Sequence, residues 1–105
     1  MSIKMDMTKL VTADAKATEA KAMRARSIKD ACATRIAGIL DANTMANIQS
    51  AAIIGELSTE QMEAFRRAQQ WISAMLSTAR HAISEGIEPD WPEIPEGLRD
   101  LVAEF

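Results

Sequence analysis

The stretch from Leu57 to Gly86 sets the terms for any fold that this chain can adopt. It reads as one amphipathic helix with a marked start and a marked stop. Ser58 is an N-cap with Gln61 three residues on, the spacing at which each side chain can bond the other's backbone N–H. Leu57 before the cap and Met62 at the fourth helical position are placed to pack as a hydrophobic staple. Met62, Phe65, Gln69, Ile72, Leu76, Ala79 and Ile83 then recur at spacings of three and four. Ala64, Ala68, Trp71, Met75 and Ala82 form a second stripe beside the first. Two adjacent stripes require neighbours on two sides, as for the central helix of a three-helix arrangement. Arg80 and His81 put positive charge near the helix end, and Gly86 suits the left-handed stop. Gln69, the one polar residue of the first stripe, has two readings. It can fix register in an oligomer as a buried amide, or sit at the rim of the core with its amide in solvent; the second is preferred.

Composition agrees with a helical protein. Four glycines and three prolines in 105 residues leave little turn material for a sheet, and only four residues are aromatic. The fold class expected is therefore all-α: a small helical bundle of about three helices, with a long N-terminal helix and an extended Pro/Trp tail that ends in a short helix. The single Cys32 excludes an internal disulfide framework and suits a reducing compartment. No run of about 18 apolar residues is present to span a membrane. Residues 1–11 have no continuous apolar block, which argues against a signal peptide.

The predicted organisation is an N-terminal arm over 1–11, a helical domain over 12–86, and an acidic tail over 87–105. Helices are expected at about 12–41, 44–55 and 59–85. In the arm, Ile3, Met5 and Met7 alternate with polar residues, a period-two pattern that fits a short strand on a partner's sheet edge or a frayed terminus. Thr12 is the expected cap of the first helix. Its first half is alanine interrupted by Lys16, Glu19, Lys21 and Arg24, with high helix propensity but little to bury, so it should project. Its second half has a core seam in Ala25, Ile28, Cys32, Ile36, Ile39 and Leu40. Asn43 or Thr44 should cap the second helix, with Met45, Ile48, Ala52 and Ile53 facing the core and Ala51 and Ile54 widening that face.

Pro89, Pro92 and Pro95 hold the tail extended. Trp91 and Ile94 are its apolar anchors, and Leu98, Leu101, Val102 and Phe105 share one face of the terminal helix. Such a segment wraps over a surface, either its own bundle or another protein's groove. The candidate partner-binding residues are thus Trp91, Pro92, Ile94, Pro95, Leu98 and Phe105 in the tail, with Ile3 and Met5 in the arm.

Charge is unevenly spread over the net −3: residues 1–42 have eight Lys/Arg against five Asp/Glu, and residues 86–105 have Arg99 alone against six acids. That asymmetry allows head-to-tail pairing or presentation of the tail to a basic partner. The cluster Lys21, Arg24, Arg26 and Lys29 is too small and too interleaved with acids to read as a nucleic-acid face. No catalytic constellation is legible. One histidine and one cysteine cannot build a soft metal site, no glycine-rich phosphate loop occurs, and Glu60 with Glu63 reads as a solvated pair. No enzyme, metal or cofactor is expected.

The alanine- and lysine-rich "LVTADAKATEAKAMRAR", the "NIQSAA" helix, "LSTEQMEAFRRAQQWISAM" and the "DWPEIPEG" tail together resemble small proteins encoded beside tail-fibre genes of tailed bacteriophages and prophages. Those proteins are described as tail-fibre assembly chaperones or fibre-associated proteins. The resemblance implies a non-enzymatic structural or assembly protein that binds a tail-fibre or tail-tip protein as a homo- or hetero-oligomer, without nucleic acid or membrane. It places the protein in the host cytoplasm during assembly, with retention in the virion tail as the alternative. Many such chaperones have a β-rich domain ahead of the helical part, which these residues do not contain, so a permanent tail-tip component is as open as a transient chaperone. A reading from another class is a small acidic inhibitor occupying a basic site on a host protein.

Overall fold

The computed structural model describes residues 2–105, with side chains from Ala13 onward. The described residues form four helices and no strand: α1 (Ser2–Ile39), α2 (Ala42–Ile53), α3 (Thr59–Glu85) and α4 (Leu98–Ala103). The all-α bundle expected from the sequence is the fold. The boundaries of α3 follow its caps: Ser58 and Gln61 form the reciprocal capping box, and Gly86 closes the helix at φ 67°. Only glycine reaches that left-handed region without a Cβ penalty.

Two boundaries differ from expectation. The alternating stretch at residues 3–7 continues α1, so the backbone there is helical and neither a strand nor a separate arm. A solitary strand has no ladder partner, whereas a helix satisfies its backbone from within. Thr12 consequently lies inside α1 rather than at its start. The second helix starts at Ala42, capped by Asp41 rather than by Asn43 or Thr44: the Asp41 carboxylate accepts the Thr44 N–H at 2.8 Å.

α1 and α3 lie antiparallel. Arg24 reaches the Ala82 and Ile87 carbonyls at the C-terminal end of α3, while Arg35 and Ile39 border Trp71 and Met75 near its middle. Ile28 and Cys32 of α1 and Leu40 just beyond it join Ala64, Phe65, Ala68, Trp71, Met75, Ala79 and Ala82 of α3 in one core, which Ile48 of α2 and Leu98 and Leu101 of α4 complete. Both α1 and α4 pack on α3, so α3 is the central helix.

The core side of α3 is not the side that its apolar spacing points to first. Ala64, Ala68, Trp71, Met75 and Ala82 are buried, whereas Met62 is 45% and Leu76 42% exposed. Of the heptad-spaced stripe, Phe65 and Ala79 are buried, Ile72 and Ile83 half-buried, and Gln69 exposed, its amide in solvent. The small residues win because alanine lets helices and strap approach closely, and Trp71 and Met75 supply the volume between them. Ile53 of α2 and its C-cap Ile54 are likewise outside the core that their sequence pattern assigned them to.

The chain returns from Gly86 as a strap along α3. The Gly97 Cα lies beside Ala64, since a Cβ built on it would stand 3.8 Å from the Ala64 methyl. Residues 87–95, free of helix and turn, cover ~28 Å at ~3.1 Å each, most of the ~33 Å that α3 rises from residue 64 to 86. The three prolines thus give the strap the length it needs to bring α4 back to the start of α3. At the opposite end, residues 2–23 of α1 run ~33 Å beyond the point where Arg24 meets α3. The molecule is therefore long, 73 × 23 × 18 Å, with a radius of gyration of 20.8 Å against ~13 Å for a compact chain of this length.

Candidate interaction surface

Three surfaces are available to a partner: the projecting helical arm formed by residues 13–23 of α1, the outer face of the strap, and the exposed side of α3. Every residue from Ala13 to Met23 is exposed, and Met23 is 59% exposed. The alanines and lysines that favour helix here have nothing intramolecular to cover.

The strap is mostly committed to its own bundle. The Trp71 indole Nε1–H donates to the Pro92 carbonyl at 3.3 Å. The Arg35 guanidinium lies 5.4 Å from the centre of the Trp91 ring, a cation–π contact. Trp91, Pro92 and Ile94 border one groove with Ile39, Trp71 and Met75. Of the residues expected to bind a partner, Trp91, Pro92, Ile94 and Pro95 are half-buried here. Leu98 is corrected outright: it is 0% exposed, in the core between α3 and α4, and cannot reach a partner. Burying its whole side chain is worth ~2 kcal/mol to the fold, which a surface position would forfeit. Phe105 is 37% exposed. Ile3 and Met5 lie outside the described side chains.

The strap's outer face is acidic, because Glu88, Asp90, Glu93, Glu96, Asp100 and Glu104 are all exposed. An open cleft of about 580 Å³ between the first turns of α3 and α4 is lined by Glu60, Glu63, Glu96, Asp100 and Glu104, with Arg67 opposing them. The Glu63 carboxyl is held below the usual range by its hydrogen bond from Arg66, with the Arg66 and Arg67 charges adding to the effect. Gln61 donates from Nε2 to Glu104, tying the last turn of α4 to the capping box of α3.

Arg24 is the residue whose part the sequence concealed. It reads as one member of a basic cluster, yet it donates to Ala82 O at 3.2 Å and to Ile87 O. The last turn of α3 has no basic residue, so α1 supplies the positive charge that this helix end favours. Lys21, Arg26 and Lys29 remain exposed. Cys32 is buried among the core residues, and burial pushes its thiol pKa up, away from the reactive thiolate. His81 is exposed beside the start of the strap. Among the described residues, no three His, Cys, Asp or Glu side chains gather in a way that could hold a metal ion, and no helix is long and apolar enough to cross a membrane.

Comparison with known proteins finds no family model, no curated protein and no solved structure that matches this chain.

Proposed function

We propose that the protein is a non-enzymatic structural or assembly protein that binds a phage tail-fibre or tail-tip protein. The observation that supports binding is the arm: Ala13 to Met23 form a bare helical surface with no cover from the rest of the chain. An isolated helix of this length is marginal in water and gains most of its stability from packing. A partner laid against the alanines of the arm supplies that packing at close approach. The partner class comes from the sequence resemblance in the alanine-rich helix and the "DWPEIPEG" tail. With the strap folded onto α1 and α3, the arm is the main contact and Phe105 a secondary one.

The test is co-expression with a phage tail-fibre protein as candidate partner. Wild type should co-purify with the fibre, and Ala17→Glu combined with Ala20→Glu should abolish co-purification without moving the thermal midpoint of the free protein. If the two proteins never co-purify and the fibre folds unaided, the reading fails.

One observation favours a second reading, an inhibitor of a basic host site: all six acids of the strap and α4 face solvent. Under it, Asp90→Lys, Glu93→Lys and Glu96→Lys together abolish binding, whereas the fibre reading predicts tolerance there and sensitivity along the arm.

A further inference from the structure

The strap meets the bundle with a period of three. From Pro89 to Gly97 one residue in three, Asp90, Glu93 and Glu96, is exposed, and the residues between them are half-buried. Three residues make one turn of a polyproline II helix, so two of its sides lie on the bundle and the acids form the third. Among the described residues, 88–94 make no backbone–backbone hydrogen bond, as that conformation requires. The hold on the strap therefore comes from side chains of the groove beneath it. Trp71 gives its indole N–H to the Pro92 carbonyl, Arg35 lies against the Trp91 ring, and Ile39 and Met75 border the same groove. An aromatic-lined groove of this kind is the arrangement by which proline-rich segments are recognised.

We propose that the groove of Arg35, Ile39, Trp71 and Met75 is a docking site for polyproline II segments, held in cis by the strap and open to a proline-rich segment of a partner protein. The occupant that the structure shows defines the chemistry of the one that replaces it. That segment has proline at every third position with a large apolar residue ahead of it, as in Trp91–Pro92 and Ile94–Pro95. Its remaining positions are free, because Asp90, Glu93 and Glu96 face solvent. Exchange breaks no backbone ladder, and a groove of about 370 Å³ stays open beside the strap for an incoming chain. The tethered strap competes at an effective concentration on the order of millimolar. Wild type therefore admits only a segment that outbinds its own, and loosening the strap opens the site. The proposal does not depend on what the arm binds.

The probe is a synthetic peptide with the sequence of residues 87–97, added to the full chain. Trp91→Ala loosens the strap and leaves Trp71 as the one tryptophan, so its indole N–H resonance reports the groove alone. The peptide should move that resonance toward its wild-type position and bind this variant at least ~tenfold more tightly than wild type, where the cis strap competes. A peptide with Pro89→Ala, Pro92→Ala and Pro95→Ala should bind at least ~tenfold more weakly, since proline pre-sets the bound conformation. One with Asp90→Ser, Glu93→Ser and Glu96→Ser should stay within ~twofold of the parent, because those side chains lie outside the contact. Trp91→Phe, a gentler loosening, gives the same readout if Trp91→Ala loses its helical circular dichroism. A Trp71 resonance that millimolar peptide moves in neither variant, or equal binding of the alanine peptide, overturns the site. Dimerisation of wild type in sedimentation equilibrium, with no response to peptide, gives the groove to a second copy's strap and overturns the partner.

Discussion

The indole N–H of Trp71 and the carbonyl of Pro92 meet at 3.3 Å, joining the middle of α3 to the middle of the strap that runs back along it. Proline has no N–H to offer a neighbour, so its carbonyl is the only backbone group by which residue 92 can be fastened. Trp71→Phe removes this bond while keeping most of the apolar volume. We expect it to weaken strap docking by about 1–2 kcal/mol. Hydrogen exchange of the non-proline amides at residues 87–94 should rise by about tenfold, while that of the α1–α3 pair changes little.

Arg24 holds the end of α3 from outside, through Ala82 and Ile87. Arg24→Met retains the stem that packs along α3 but leaves those carbonyls without their charged donor. A loss of about 1–2 kcal/mol in urea unfolding is expected for this half-buried group. Arg26→Met, at an exposed position two residues on, should be within ~0.5 kcal/mol of wild type. Equal effects of the two substitutions would show that the bonds to α3 contribute nothing.

The Asp41 carboxyl is lowered from 3.8, chiefly by the Thr44 backbone N–H that it accepts, and that bond caps α2. A carboxyl whose folded pKa is depressed stabilises above its unfolded value, and that contribution disappears as pH falls through the folded value. Asp41→Asn caps with a neutral oxygen and does not titrate. Wild type should therefore lose thermal midpoint relative to Asp41→Asn as pH is lowered from about 5 to 2, and keep a constant difference above about 5. A difference that does not vary with pH would refute the cap's ionic part.

Two glycines should respond to alanine with opposite signs. Gly38 lies inside α1 with nothing within 4 Å of an added Cβ, so Gly38→Ala should stabilise by about 0.5–1 kcal/mol. Gly86 also has open space around it, but its φ is 67°. Gly86→Ala should destabilise by about 1–2 kcal/mol through backbone strain alone. Thermal denaturation of both variants under one condition decides the pair.

The local chemistry of this chain was legible in its sequence. Ser58, Gln61 and Gly86 mark α3 because caps are read from a few adjacent residues, and the Ile28–Cys32–Leu40 seam was recognisable because only one face of the second half of α1 is large and apolar. The tail's three prolines announced an extended run for the same local reason. Leu98 was harder to place. It sits on a short amphipathic segment that could pack inward or outward, and only the strap's length brings it under α3.

By itself, then, the sequence determined that the chain is helical, where α3 starts and stops, and that its end is a proline-held strap, since each depends on backbone propensity and near neighbours. Tertiary structure decided that α3's second stripe is buried throughout while Met62, Gln69 and Leu76 of the first remain exposed. Both stripes satisfy helical periodicity, and the choice falls to the small-residue one because α1 and the strap can approach only where Ala64, Ala68 and Ala82 leave room. It also decided that Arg24 serves the end of a helix 58 residues away from it in sequence, a distance at which no local pattern carries information. The row Met62–Gln69–Leu76 is what that choice leaves outside.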